Sequence, residues 1–397
     1  MEARGQKSGT RTAEISVAAM GLLCAATGLL SRQAWLDAHM MPSFFLPHAW
    51  YVTAESGVRA ALVAIGAGIV LVRRPLARAC ASRPSMLVSV AVAIVLALAA
   101  SEFTLRHLRL RPAEWLRPAE EPLRVVDPRL GWTLARSRAA MVTVGDRTVE
   151  YAMDRSGYRV RAVSDPVDPD RPSIVFIGES MMFGEGLACD ETVPAQVARG
   201  LGIQGANLGV HGYSTDQAYL HLEAELPHFH HPVAVVTLFM TALFGRNLDD
   251  DRPHLDPGLI WRPAVAHSRL QSLAKLLVPF RRERTVERGI TTTREVLRAT
   301  ADLARAHGAP MLILVPQVGA ESAVERDLRR RVLDDLGLPF VLVDLDAAWL
   351  LRGNLHPDAH AAGVMAAAVA GRLRPLVAAV RSGQALRRSS GQAGNPL

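Results

Sequence analysis

The 397-residue sequence predicts an α/β domain, a parallel sheet with helices on both faces, preceded by three transmembrane helices. Three observations carry this expectation. Long apolar stretches fall before about residue 101, and from about residue 130 strand-like and helix-like patterns alternate. The apolar run Ile174-Val175-Phe176-Ile177 ends in Gly178-Glu179-Ser180. A buried strand ending in a small hydroxyl residue puts that hydroxyl at the carboxyl edge of a sheet, where open α/β folds do their chemistry.

The elements follow in chain order. Ile15 to Leu30 is apolar without a charge, Gly57 to Val72 is apolar apart from Arg59, and Met86 to Ala100 is apolar again. Each is slightly short of the usual span of about 20 residues, and flanking residues extend all three. A cleaved signal peptide would explain the first segment, with Arg4, Lys7 and Arg11 as its basic region, but not two more behind it. Buried core helices are the plainer alternative, and three spans fit better. This gives a membrane region over 1–101.

Residues 102–130 are rich in proline and arginine and read as a juxtamembrane linker. A small β lead-in follows over 131–171, where Met141-Val142-Thr143-Val144, a Gly145-Asp146 turn and Thr148-Val149-Glu150-Tyr151 signal a hairpin. The main domain spans 172–380. Its expected strands are Ile174 to Ile177, Val233 to Phe239, Met311 to Val315 and Phe340 to Val343. Its expected helices are Glu191 to Leu201, Thr292 to His307 and Ala361 to Val377. The polar tail 381–397 reads as disordered.

Charge and cysteine content narrow the function classes. The formal charge of +7 comes largely from arginines that flank apolar segments. No basic stripe is interleaved with aromatics, which disfavours nucleic acid and favours membrane flanks. Three cysteines give no disulfide framework, and Cys189, beside Asp190 and Glu191, is a poor candidate for a reactive thiolate. Arginine placement sets the topology. The N-terminus and the connection with Arg73, Arg74, Arg78 and Arg83 are basic, whereas the first connection carries Trp35, Phe44, Phe45, Trp50 and Tyr51. The expectation is a multi-pass inner-membrane protein with the C-terminal domain outside the cytoplasm. Arg106, Arg109, Arg111 and Arg117, just after the third segment, oppose that orientation.

The chemistry-bearing residues fall in four ordered blocks: Gly178-Glu179-Ser180 with Gly184, Asn207 with Gly212, Gly245-Arg246-Asn247, and Asn354-Leu355-His356-Pro357 with Gly363. In these blocks the stretch 172–378 resembles the SGNH (GDSL-like) hydrolases, and the lead-in Ser156-Gly157-Tyr158-Arg159 resembles that of membrane-anchored members. The resemblance implies a flavodoxin-like sheet, Ser180 as nucleophile and His356 as base, with Asn247 and the Gly212 backbone N–H as oxyanion donors. No metal or organic cofactor is implied. The chemistry needs these residue types: a serine hydroxyl becomes a useful nucleophile only beside a base, and each fixed oxyanion donor is worth about 100-fold or more.

Two positions depart from the pattern. Glu179 stands for the usual aspartate. The acid positions before the histidine hold Gly353 and Asn354, which makes Asn354 a neutral orienting group, with Asp358 and Asp346 as substitute acids. The plainer readings are an N-cap serine for Ser180, a helix-start histidine for His356, a loop cap for Asn247 and a turn glycine for Gly212. The order of the blocks favours the site. Elsewhere the plain reading is preferred. Pro227-His228-Phe229-His230-His231 and Asp249-Asp250-Asp251 with His254 are taken as solvated loops, and Gly184-Glu185-Gly186 is an incomplete dinucleotide fingerprint.

The expected function is therefore a membrane-anchored, extracytoplasmic serine esterase. It would hydrolyse or transfer acyl groups of an acylated carbohydrate or small ester, with O-acetyl on an envelope glycan as one substrate class. The lipid bilayer is the other expected partner. The competing expectation is a degenerate domain that binds glycan or scaffolds an envelope assembly.

Overall fold

The computed structural model describes residues 2–42, 48–82, 84–107, 123–277 and 280–392. Most of the expected linker (108–122) and the end of the tail (393–397) lie outside the described residues. The chain divides into two compact units. One comprises Met1–Arg111 and Ala266–Val286, the other Pro112–Val265 and Glu287–Leu397.

In the first unit, the helices Glu2–Leu30 and His48–Leu71 pack on small residues. A Cβ on Gly66 would lie 2.5 Å from the Gly21 carbonyl oxygen, so glycine is what permits the close approach. Arg59, the one charge in the second apolar segment, donates its Nε–H to the Gly28 carbonyl at 3.2 Å. Met86 to Ala100 lies within the helix Pro84–Leu105, whose described apolar stretch is Ser89–Leu105.

The sequence reading keeps 266–286 in the main domain. The chain instead folds these residues with the N-terminal helices: Phe280–Arg282 pairs antiparallel with Met40–Pro42. The Arg269 and Leu270 N–H groups at the start of the helix Arg269–Leu277 donate to the Glu102 carboxylate at 2.8 and 3.0 Å.

The second unit is built on an eight-stranded sheet. In chain order the strands are β1 Arg138–Val144, β2 Arg147–Met153, β3 Arg159–Val160, β4 Ser173–Phe176, β5 Gln204–Asn207, β6 Pro232–Leu238, β7 Met311–Val318 and β8 Phe340–Leu345. Their spatial order is β8-β7-β6-β4-β5-β3-β2-β1. The five strands β4 to β8 are parallel, and β3, β2 and β1 continue the sheet antiparallel from the edge of β5. Numbered by their own appearance, the parallel strands run 2-1-3-4-5, the flavodoxin-like order, with its switch point between β4 and β6. The lead-in is thus part of the main sheet.

Side-chain alternation explains the layers. Ile174, Phe176, Val236 and Leu314 share one buried cluster with α1 (Val193–Leu201) and α2 (Ala359–Gln392). Val175, Val235 and Ile313 point to the other face and are as completely buried. The helices Thr215–Glu225, Glu283–Ala306 and Ala323–Leu333 supply Leu222, Val296, Leu297 and Leu328 to this second layer.

Among the described residues, three helices are long and apolar enough to cross a membrane: Arg11–Leu30, Val52–Leu71 and Ala359–Val380. The last of these is part of α2 and spends its apolar stripe on the sheet, burying Ala361, Met365, Val369, Leu373 and Val377 in the cluster. It is a core helix by its packing. The backbone of α2 continues helical to Gln392, well into the tail read as disordered.

Candidate active site

Ser180 stands where the topology predicts, one turn past β4 at the switch point of the sheet. Glu179 caps the four-residue helix Ser180–Phe183, its Oε1 accepting the Met181 N–H at 3.1 Å. The loop after β5 runs alongside, because Leu208 N–H donates to the Phe176 carbonyl and Val210 N–H to that of Gly178. Asn207 pins this loop, accepting from Gly209 N–H and donating to the Phe183 carbonyl. Gly209 comes so close that a Cβ would lie 2.5 Å from the Phe183 nitrogen. Gly212 ends the loop at φ +75, a conformation that glycine adopts without strain. Arg252 holds its carbonyl at 2.6 Å.

His356 arrives from the other end of the chain. Its Nε2 is 2.7 Å from Ser180 Oγ. Asn354 Oδ1 accepts the His356 backbone N–H at 3.0 Å and lies 2.5 Å from Nδ1. The backbone donor fixes which amide atom faces the ring, and an oxygen there requires the proton on Nδ1. Nε2 is then the free acceptor directed at Ser180. Neither substitute acid reaches the ring. Asp358 caps the helix after the histidine through Ala361 N–H, and Asp346 accepts from Ala348 N–H.

Asn247 requires a correction. Its amide donates to Thr215 Oγ1 and Thr293 Oγ1 at 2.9 and 3.0 Å, and its Oδ1 accepts Thr215 N–H at 2.9 Å. Both amide hydrogens are committed, so the group fastens two helices and does not face an oxyanion. Asn247→Ala is therefore expected to cost about 1–3 kcal/mol of stability through an orphaned Thr215 N–H. It should change kcat by less than the roughly 100-fold loss of an oxyanion donor. Urea unfolding alongside steady-state kinetics checks both. Among the described residues, no protein acceptor takes the backbone N–H of Ser180 or of Gly212, and these two remain the donors available.

Several contacts around the site escape sequence reasoning. Glu179 Oε2 lies 2.5 Å from Ser180 Oγ and accepts from Arg246 Nη1 at 3.1 Å, so the serine hydroxyl sits between two acceptors. Burial pushes the Arg246 guanidinium below its ordinary range, and the Glu179 carboxylate works against that shift. Arg159 is buried beneath the helix Ser180–Phe183. It donates to the Phe183 and Gly184 carbonyls at 2.6 Å each and to the Leu187 carbonyl. Burial lowers its pKa to about 10.

His211 is fully enclosed, its ring 3.9 Å from that of Phe183, and burial drives its pKa well below the ordinary value. Burial also lowers the pKa of His221. Burial disfavours the protonated form of both rings, while the unfolded chain protonates near pH 6.5. Their contribution to stability is therefore complete above about pH 6.5 and is lost as the pH falls toward each ring's folded value. Urea unfolding at pH 7.5 and 5.5, with His221→Phe losing part of the difference, measures this. The Cys189 thiol is pushed up by burial, in keeping with an inert residue.

The domain thus has a flavodoxin-like parallel sheet, with the serine after the first parallel strand and the histidine before the last helix. No family model and no curated relative matches the sequence. Among solved structures, the chain is similar to an acetyl xylan esterase from Butyrivibrio proteoclasticus, at 12% identity and TM-score 0.33, covering 53% of this chain and 65% of that one. It is similar to a carbohydrate acetylesterase family member from Sinorhizobium meliloti, at 15% identity and TM-score 0.30, covering 52% and 99%. It is also similar to a carboxyl esterase from Tuber melanosporum, at 13% identity and TM-score 0.29, covering 60% and 85%.

Proposed function

We propose that this protein is a membrane-anchored serine esterase. One observation carries the reading: Ser180 Oγ lies 2.7 Å from a His356 nitrogen whose opposite ring nitrogen is held 2.5 Å from an amide oxygen. That is the hydrogen-bonded chain of an activated nucleophile. Ser180 Oγ adds to the ester carbonyl as its proton passes to Nε2, and the carbonyl electron pair moves onto the oxygen, facing the Ser180 and Gly212 N–H groups. The imidazolium then returns the proton to the departing alkoxide, leaving an acyl-serine. Water or an alcohol resolves that intermediate by the same route in reverse.

Acetylated carbohydrate is the substrate class we favour. An acetyl group is small enough for a nucleophile only 2% exposed, and acetyl esters of glycans are the named substrates of two of the similar structures. The apolar N-terminal helices support an anchor in a bilayer. The arginine pattern supports a catalytic domain outside the cytoplasm.

A second reading has its own observation. Asn354 carries no charge to stabilise an imidazolium, and Glu179 competes with His356 for the Ser180 proton, as in a domain that has kept the fold to bind acylated glycan. The full-length protein in detergent decides between them. Turnover of a short aryl acetate that disappears in Ser180→Ala supports the esterase. Equal rates in both proteins, with retained binding of an acetylated oligosaccharide, support the binding domain.

A further inference from the structure

The Gly184-Glu185-Gly186 turn is folded around the candidate nucleophile. Gly184 and Gly186 take φ +84 and +75. A Cβ on Gly186 would meet Leu351 Cδ1 at 2.3 Å, and one on Gly184 would meet Thr192 Cγ2 at 2.4 Å, so only glycine fits on either side of Glu185. The Gly184 and Glu185 N–H groups both donate to the Ser180 carbonyl, at 2.9 and 3.0 Å. Gly186 N–H donates to the Tyr151 hydroxyl at 2.6 Å, and Arg159 clamps the carbonyls around the turn. Everything that shapes this turn also fixes the Glu185 backbone.

The carboxylate so presented stands beside both histidines of the site. Glu185 Oε2 is 3.6 Å from His356 Nε2 and 3.5 Å from His211 Nε2. His211 Nδ1 is buried without a hydrogen-bond partner. With Asn354 neutral at Nδ1, Glu185 is, among the described residues, the carboxylate within ion-pair distance of the His356 ring. Glu179, by contrast, is engaged with Ser180 and Arg246.

We propose that Glu185 is a positioning carboxylate. In this role it supplies, from the Nε2 side, the negative charge that the site lacks at Nδ1, and so stabilises the imidazolium formed when His356 takes the Ser180 proton. The proposal rests on Ser180 and His356 acting as nucleophile and base. The charge of Glu185 faces Arg159 and Arg246, which temper it, and the neutral His211 ring. A neighbouring carboxylate favours a protonated imidazole, so its loss moves the acid limb of a pH–rate profile to lower pH.

The test is the rate at which a fluorophosphonate labels Ser180 in the full-length protein from pH 5 to 9, a reaction that needs the nucleophile and base but no particular substrate. Glu185→Gln is expected to label about 10- to 100-fold more slowly, with the acid limb of the labelling profile at lower pH. Glu185→Asp should recover part of the rate, and Asn354→Asp placed in the Glu185→Gln background should recover most of it. Wild-type rates and limb in Glu185→Gln overturn the proposal. So does slower labelling with an unmoved limb, the outcome of a purely structural role. Failure of the wild type to label at all, as in Ser180→Ala, overturns the nucleophile assignment and Glu185 with it.

Discussion

Removing the Ser180 hydroxyl is expected to lower kcat for a short aryl acetate by roughly 10⁴- to 10⁶-fold, with His356→Ala as damaging and the double variant no worse than either. The magnitude follows from the geometry. A serine hydroxyl at neutral pH is a weak nucleophile, and Nε2 at 2.7 Å is the acceptor that makes attack and proton removal one event. Once either partner is gone the other has nothing to act on, so the two losses cannot add. Any residual rate measures what the Ser180 and Gly212 N–H groups do alone, which a zero background would deny. Both variants should fold. Ser180→Ala removes one buried hydroxyl, and His356 lies partly exposed on a loop whose backbone is held by Leu351 N–H on the His356 carbonyl and Asp358 N–H on that of Trp349.

Asn354→Asp is expected to move activity in the opposite direction. Asn354 Oδ1 already occupies the position from which an acid would orient the ring, accepting both the His356 N–H and the ring at Nδ1. An aspartate of the same length keeps both contacts and adds a charge. Exchanging the acid of a triad for its amide costs up to about 10⁴ in kcat, part of it through the wrong ring tautomer. Here the tautomer is already right, so the gain is the electrostatic share, on the order of 10- to 100-fold in kcat with little change in KM. The gain should shrink where Glu185 already provides the charge and grow in Glu185→Gln. A steady-state kcat and KM comparison of the four proteins reads out both effects.

How far the sequence carries depends on the range of the interaction concerned. Strands β4, β6 and β7 are apolar runs buried on both faces, and their signal is local and strong. Strand β5, with Gln204 and Gly205 in a four-residue edge of the parallel set, has no such run, and only Asn207 hinted at it. Ser180 and His356 each sit in a short block whose spacing is itself the constraint, and the structure brings the two side chains within 2.7 Å. Asn247 was misread for the complementary reason: its pattern fixes three neighbours, but its partners Thr215 and Thr293 come from two helices far along the chain. Glu185 was hidden behind the flanking glycines that make it useful, because a Gly-x-Gly pattern is common and says nothing about which way its middle residue points. The stretch that forms the helix Arg269–Leu277 falls inside the range 172–380 read as one domain, and its place beside Glu102 rests on a contact across more than 160 residues.

The central claim is that Ser180 carries the acyl group. Acid quench of the full-length protein milliseconds to seconds after mixing with an aryl acetate, followed by peptide mass spectrometry, tests it most directly. One acetyl adduct is expected on the peptide containing Ser180, absent from Ser180→Ala and longer-lived when the deacylating base is weakened in His356→Gln after chemical acetylation. An adduct on another residue, or turnover with Ser180 unmodified at every quench time and undiminished in Ser180→Ala, would contradict it.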